Sequence, residues 1–550
     1  MKIIIPAFTL GLLAFVLIGC GGNFNGGDTG SSGGLLVQGQ NGSVPAAPSA
    51  LTITSRSNTG IYLSWTDNSA NEDGFRIERR IGANAYAQLI TLGPNIVSYI
   101  DNTVSPLTQY TYRVVAYNSF GDSNISNEVT ATPPLVKTWG GLGDETANAV
   151  AVDGAGNIYV TGWTYSFGAI TSTPTEVFVI KYNSQGTLLW QKNWGGLGND
   201  SGNAIAVSQF GDVYVAGSTE GFGVVSTTDV FVLKYTTNGI LSWQKTWGGN
   251  GQDIAYDIAL DELLSHNRIY VTGSTDSFGA GNNDAFLLSY DTAGNLNWQR
   301  VWGDHGINIA HGVDTDSLGD IYVAGGSNSN TFGSNTYDAF ILKYNANGTL
   351  TWQRIWGGMN DEIAKDIVVD ASDNIYLAGD SIEYGSGAYN TFVLCYDSVG
   401  TNLWQDIWSS FAGNEFTGGI AVSGSNLYIN GYSNGFGDQT NNIFIIRINS
   451  STGSLLYQEC WSTPGADTAY GITADSSNNV FIAGATNSSN GWLTNIPGFI
   501  YASNEISSPA FGTITIPSGT ETIPAGIENV PNGIETGSSI LDMLLIKIKY

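Results

Sequence analysis

The stretch from Trp139 to Trp194 reads WGGLGDETANAVAVDGAGNIYVTGWTYSFGAITSTPTEVFVIKYNSQGTLLWQKNW. Four runs within it, ANAVAVD, GNIYVTG, EVFVIKY and LLWQKNW, have strand composition, and Gly, Asn and Asp crowd the connections. The pattern then recurs. Equivalent tryptophans stand at Trp139, Trp194, Trp247, Trp302, Trp356, Trp408 and Trp461, at steps of 55, 53, 55, 54, 52 and 53 residues. Seven starts mean seven units of four strands, and no 3.6-residue period marks a helix in them.

Four short strands per repeat at this period describe a propeller blade. The units resemble the bacterial seven-bladed β-propeller repeat family, whose pattern runs WGG, an acidic residue, IAVD and then GNIYVAG. That resemblance covers residues 135–550 and implies an all-β, seven-bladed β-propeller. The last unit stops after its third strand, DMLLIKIKY, with no Trp-Gln strand beyond Tyr550. Leu135 to Trp139 (LVKTW) precedes the first unit as an orphan fourth strand. It is expected to complete the last blade, closing the ring and covering edges that would otherwise pair with other chains.

Residues 45–134 carry a different pattern, with runs such as IYLSW, FRIERR and YTYRVVAY between turn clusters. About seven strands fit, the count of an immunoglobulin-like sandwich. This segment resembles a fibronectin type III module through Trp65, the run Val104-Ser105-Pro106-Leu107-Thr108-Gln109-Tyr110 matching the tyrosine corner, and the strand from Tyr112 to Asn118. The resemblance implies that Tyr110 turns its hydroxyl back to the chain while its ring packs in the core, and that the module is a spacer.

Residues 1–20, MKIIIPAFTLGLLAFVLIGC, join one basic residue, an apolar run shorter than the ~20 residues that span a bilayer, and a small residue before a cysteine. They read as a signal peptide. Leu17-Ile18-Gly19-Cys20 resembles the bacterial lipobox, which implies cleavage before Cys20 and acylation of that residue. Residues 21–44 are then a Gly/Ser-rich tether, and the expected location is the cell envelope, at the outer membrane or cell surface, held by lipid. Cys395 and Cys460 fall on different blades and read as buried thiols. The chain has 19 basic and 47 acidic side chains, a net charge of −28. Such a surface repels phosphate backbones, so nucleic acid is not an expected partner.

Residues that repeat in every unit serve what every unit needs, so function is sought in the departures. The tryptophan pairs spaced by four, such as Trp190 and Trp194, share a strand face and are read as packing between blades. Glu145, Asp200, Asp253, Glu362 and Asp467 lie six residues after their tryptophans, and Asp229, Asp284, Asp338 and Asp542 begin third strands. They are read as acceptors for loop amides on one face of the ring. Asp314 and Asp316 open a segment resembling a calcium loop, DTDSLGD, that lacks the later ligands. They are weak metal candidates, and no cofactor is expected. His305 and His311 sit close together and read as loop residues of blade four. Trp163 stands where other second strands have smaller residues. The largest departure is an insertion of about 50 residues, near 491–540 and including Trp492, between the second and third strands of the last blade. It is expected to overhang the carboxylate face.

These features point to a non-catalytic binding scaffold at the envelope, meeting a protein or glycan through the propeller face that bears the insertion. Candidate binding residues are Trp163, His305, His311 and Trp492. The alternatives are a propeller enzyme, either a hydrolase or a quinone-type dehydrogenase, and an envelope assembly factor. Against an enzyme stand the lack of a Gly-x-Ser-x-Gly motif and a total of three histidines, His266, His305 and His311. The anchor is tested by labelling cells with radioactive palmitate. The label is expected in the wild-type protein and lost in Cys20→Ala, and equal labelling of both overturns the anchor.

Overall fold

A computed structural model describes residues 42–549, apart from 168–173, 224–226, 263–266, 330–335, 383–388, 410–412, 436–439, 463–464, 488–493, 496–499, 503–513, 516–519, 523–526 and 530–540. Cys20, the rest of residues 1–20 read as a signal peptide, almost all of residues 21–44, His266 and Trp492 lie outside the described residues. Met1–Ser43 and Val44–Tyr550 form separate units, and the second holds both the fibronectin-like segment and the repeats.

In the fibronectin-like segment one sheet holds Ser49–Arg56, Ile61–Thr66 and Ser98–Asp101, and the other is centred on Gly74–Ile81 and Tyr110–Asn118. Alternate residues Ile61, Leu63 and Trp65, with Phe75 and Ile77, turn inward to make one core. The Tyr110 hydroxyl accepts the Ser105 N–H at 2.9 Å, so the corner forms as expected.

From Leu135 onward the described residues form seven antiparallel sheets, each built on a four-stranded meander. Blade one is Glu145–Val152, Ile158–Thr164, Glu176–Tyr182 and Leu188–Gly195. Blade seven is Asp467–Ala474, Asn479–Thr486, Asp542–Lys549 and, as its fourth strand, Leu135–Trp139. Met543 pairs with Trp139 and Lys547 with Leu135, so the N-terminal strand closes the ring as expected. The first strands of blades seven and one also meet.

Hydrophobic cores lie between successive blades and are pinned by one repeated bond. A buried indole needs an acceptor. The Nε1–H of Trp139 donates to Gln191 of the next blade at 2.8 Å, Trp194 to Gln244 at 2.8 Å and Trp247 to Gln299 at 2.8 Å. Trp302, Trp356 and Trp408 continue the series to Gln353, Gln405 and Gln458. At the seventh joint the closing strand has Val136 where the others have Gln, and the buried Trp461 Nε1–H has no acceptor. Arg56 of the fibronectin-like module occupies this joint. Its guanidinium lies 5.7 Å from the Trp461 ring and binds the buried Glu459 through two bonds of 3.2 and 3.1 Å. Such a planar fork is the geometry that suits Arg to a carboxylate.

The repeated carboxylates do accept loop amides. Gly141, Gly196, Gly249 and Gly358 N–H groups donate to Glu145, Asp200, Asp253 and Glu362 at 2.7–2.9 Å. They are also paired across blades. The carboxyl groups of Asp542 and Glu145 both close on Gly140, those of Asp229 and Asp253 on Gly248, and those of Asp338 and Glu362 on Gly357, while the Asp200 carboxyl and the Glu176 Cγ close on Gly195. Each approaches within 3 Å of where a Cβ would stand, which is why glycine follows the tryptophan there. In blade four the partner is an amide, and Asn308 Nδ2 donates to Asp284 at 3.2 Å. Buried Oδ1 atoms of Asp200, Asp253 and Asp542 have no donor. Burial without a donor disfavours the ionised form of a carboxyl. Burial lifts Asp200 and Asp542 to about 6, with the charges of Glu176 and Asp144 adding to it.

The insertion sits between the second and third strands of blade seven, as expected, but its described strands do not overhang the carboxylate face. Thr494–Asn495, Ile500–Ala502, Ile514–Thr515, Thr520–Thr522 and Ile527–Asn529 each pair with the outer edge of a fourth strand, in blades six, five, three, two and one. Unpaired strand edges at the rim offer more hydrogen bonds than a loop face does.

The tryptophan joints and the buried carboxyls both set the stability of the ring. Gln299→Leu leaves the Trp247 N–H unpaired and is expected to cost about 1–3 kcal/mol, whereas Val136→Gln gives Trp461 an acceptor and raises stability by about 1 kcal/mol. Denaturant midpoints check both, and two unchanged midpoints overturn the role of the joints. Burial makes the folded Asp200 hold a proton that the unfolded chain releases near pH 4. Its contribution is therefore complete below about pH 4 and lost as pH rises through about 6. Asp200→Asn, which copies blade four, is expected to shrink the fall in melting temperature between pH 4.5 and 7, and an unchanged fall refutes the raised titration of Asp200.

Candidate functional site

Each first strand carries a β-bulge at the same position. In blade one Ala147 pairs with Gly162 and Ala149 with Thr161, which leaves Asn148 as the extra residue. The corresponding extra residues are Asn203, Tyr256, His311, Lys365, Gly418 and Tyr470. The bulge also explains the fixed glycine that ends the YVTG and YVAG runs. A Cβ on Gly162 would strike the Thr146 carbonyl oxygen, and Gly217, Gly273 and Gly325 face the same contact in their blades. Bulges re-aim a side chain, and here all seven bulge residues face the axis of the ring.

They line a cavity of about 430 Å³ bounded by the first strands of all seven blades. Its wall has two characters. On blades one and two, Asn148 donates to the Gly202 carbonyl at 3.0 Å and Asn203 to the Ala255 carbonyl at 2.8 Å, so these amides tie each blade to the next. On blades three to five the Tyr256 and His311 rings lie 5.2 Å apart, and Lys365 meets Asp380 at 3.7 Å. Tyr470 completes the wall from blade seven, with Tyr432 at 6.1 Å and Phe416 beyond it at 5.1 Å from Tyr432. Burial, aided by the Lys365 charge, depresses His311 to about 3, so its ring is neutral across the physiological range.

Three carboxyls stand in this wall, and burial pushes Asp257, Asp314 and Asp366 upward. Perturbed acids in a cleft are candidates for catalysis. Their oxygens, however, are committed to backbone. Asp257 accepts Val313 N–H at 2.7 Å and Ile258 N–H at 2.8 Å, Asp314 accepts Val369 and Thr315, and Asp366 accepts Ile420 and Ile367. Together they staple blades three to six.

Of the residues singled out from the sequence, His311 and Asp314 line the cavity and the others described do not. His305 and His311 are separated by the fold. His305 stays in a loop with Nδ1 2.8 Å from the Ala280 carbonyl oxygen, but His311 is a strand residue, because the first strand of blade four begins at Asn308. Asp316 holds a turn. Its Oδ1 accepts Leu318 and Asp320 N–H groups and its Oδ2 the Tyr322 hydroxyl, as Asp153 and Asp370 do in their own blades. Among the described residues no group of three His, Cys, Asp or Glu could hold a metal ion. Trp163 is half-buried against Tyr165, ring centres 5.4 Å apart. Cys395 and Cys460 are free and buried. Tyr256, Lys365 and Tyr470 are functional candidates that only the structure brings out. The signal for them is the break in alternation inside runs such as DIAYDIALD, where the apolar phase shifts by one residue.

A family model of the fibronectin type III domain matches residues 46–132, and one described as a β-propeller repeat matches residues 139–168 and 459–491. Among curated proteins, Regulatory protein FlaEY of Caulobacter vibrioides is 26% identical over 282 residues, covering 47% of this chain and 26% of that protein. An uncharacterized WD repeat-containing protein of Acanthamoeba polyphaga mimivirus is 22% identical over 271 residues, covering 38% of this chain and 19% of that one. The chain thus spans about a quarter or less of either relative. Among solved structures, the fibronectin type-III domain of human fibronectin type III domain containing protein 3 is 22% identical, covers 17% of this chain and 91% of its own, and has a TM-score of 0.15. Exotype rhamnogalacturonan lyase YesX is 11% identical, covers 82% and 88%, and has a TM-score of 0.32. The chain carries a fibronectin type III domain followed by β-propeller repeats.

Proposed function

We propose that this chain is a non-catalytic scaffold, held at the cell envelope through Cys20, whose axial cavity binds an uncharged polyhydroxylated ligand such as the end of a glycan chain. The observation that carries this is the bulge position. The side chain presented to the axis there changes around the ring, reading Asn148, Asn203, Tyr256, His311, Lys365, Gly418 and Tyr470. Variation along the wall of a cavity is what a binding site on a repeated scaffold requires.

The chemistry selects the ligand class. Tyr256 and Tyr470 offer ring faces for the apolar side of a sugar, and the neutral His311 ring both donates and accepts hydrogen bonds. Lys365 is balanced by Asp380, and the net charge of −28 opposes anionic polymers. The stapling of Asp257, Asp314 and Asp366 to backbone amides supports binding over acid–base catalysis. The site then lies at the axis and not on the insertion-bearing face.

Calorimetry with neutral and anionic oligosaccharides tests the proposal. Binding to a neutral member is expected, with a loss of about tenfold or more in Tyr470→Ala and His311→Ala variants of unchanged melting temperature, a loss worth ~1.4 kcal/mol or more. The sugar should be recovered uncleaved. Unchanged affinity in both variants overturns the axial site, and turnover overturns the non-catalytic reading.

A further inference from the structure

One corner of the ring differs from the others in topology, and its residues differ with it. In blades one to six a hairpin loop joins the third strand to the fourth. In blade seven the third strand is Asp542–Lys549 and the fourth is Leu135–Trp139, so no hairpin joins them. What leads into that fourth strand is the fibronectin-like module, through the buried residues Thr132, Pro133 and Pro134.

Elsewhere the hairpin loop is what the preceding blade grips. The Nε1–H groups of Trp190, Trp243, Trp352 and Trp404 donate to the carbonyls of Thr237, Thr292, Ser398 and Ser450, each in the loop of the next blade, at 3.0–3.2 Å. Their rings lie against the loop glycines Gly239, Gly294, Gly400 and Gly453, close to where a Cβ would stand. Two residues further along their strands, Arg300 and Arg354 donate to the Gly348 and Gly400 carbonyls at 2.6 and 2.9 Å. From the third strands, Lys181, Lys234 and Lys343 reach the same carbonyls of Thr237, Thr292 and Ser398. A loop carbonyl needs donors, and the outer part of each strand pair supplies them.

Blade six faces the corner without a hairpin, and its side chains change accordingly. Tyr457 stands in place of the outer tryptophan, and Glu459 stands where blades one to four have Lys192, Lys245, Arg300 and Arg354. Blade five has Asp406 there but keeps Trp404. Arg447 takes the third-strand place of the lysines and donates to Asn426 of its own blade at 2.9 Å. An ionised acid accepts and cannot donate, so Glu459 suits a partner that brings hydrogens. The module brings them. Besides its fork on Glu459, Arg56 donates to the Thr132 carbonyl at 3.2 Å, so one guanidinium holds both blade six and the segment that leads into the closing strand. The Glu459 side chain has no exposed surface, and a carboxylate so buried is stable only with its cation. Ile53, Ser55 and Gln109 of the module line the same cleft as Tyr457.

We infer that the fibronectin-like module is the clasp of the ring, taking the place of the hairpin that blade seven lacks. Tyr457, Glu459 and Arg447 mark blade six as the surface that receives it, and the partner of that surface is the module of the same chain. The module is then part of ring closure and not a spacer. Pairing of Leu135–Trp139 with Asp542–Lys549 closes the sheet, but without the module it leaves Glu459 buried and uncompensated, so module and closing strand lose structure together.

Hydrogen exchange followed by mass spectrometry on the full chain tests the clasp. In increasing urea, the module strands Gly74–Ile81 and Tyr110–Asn118 and the closing strand Leu135–Trp139 are expected to lose protection at one shared midpoint. Module strands that open first, with the closing strand still protected, overturn the clasp. Exchanging charges gives a second test. Glu459→Lys restores the residue type of blades one and two, and it is expected to speed exchange in Leu135–Trp139 about tenfold or more while leaving Leu296–Trp302 across the ring unchanged. Adding Arg56→Glu to that variant is expected to restore protection. An unchanged rate in Glu459→Lys, or equal rates in the single and double variants, overturns the clasp at this pair.

Discussion

The hydrogen bond from a blade tryptophan to the glutamine of the next blade governs how the sheets assemble. An indole buried without an acceptor loses its bond to water and gains nothing in exchange. By placing the acceptor on the following blade, the repeat makes every sheet incomplete until its neighbour is present. Six joints are satisfied in this way. The seventh cannot be, because the closing strand enters from the N-terminal side and carries Val136. The unsatisfied joint is also the one where Arg56 reaches Glu459 and covers the Trp461 ring. The module that precedes the ring is thus docked where the ring's own bonding runs out.

With the tryptophan joints fixed, the bulge position is free to vary from blade to blade. A bulge residue makes no ladder pair, and its side chain faces the axis instead of a packed core. Substituting it leaves the register intact, provided that the opposing second-strand residue is glycine, since any Cβ there meets a carbonyl oxygen. The same strand therefore supplies a rigid frame and one adjustable position. This is how a ring of near-identical sheets comes to have Tyr256, His311 and Lys365 on one side of its axis and Asn148 and Asn203 on the other.

Tryptophan spacing, four strands per unit, the orphan strand at Leu135 and the Tyr110 corner are local patterns, legible in the sequence and present in the structure. The features that sequence hides share a cause, which is that they arise only between distant segments. The bulge is hidden because it shifts the alternation by a single residue, which makes His311 look like a neighbour of His305 in a loop. Taken one at a time, the carboxylates look like acceptors of amides. Their pairing is invisible in sequence because Asp229 and Asp253 belong to successive blades and meet only across a joint. The insertion resembles an overhanging loop because proline and glycine signal loops, whereas its described strands pair with the outer edges of distant blades.

The carboxyl pairs show how a repeat tolerates a feature that costs stability in isolation. Burial lifts Asp200 and Asp542 to about 6, so the stability these two carboxyls contribute is lost as pH rises through about 6. Blade four has Asn308 in place of one acid, and its amide donates to Asp284. Asn390 and Asn442 begin the third strands of blades five and six, and there the residue after the tryptophan is Ser409 or Ser462 instead of glycine. An amide keeps its hydrogens at the pH where a carboxyl loses its proton, so the bond from Asn308 persists at neutral pH where the contributions of Asp200 and Asp542 are gone.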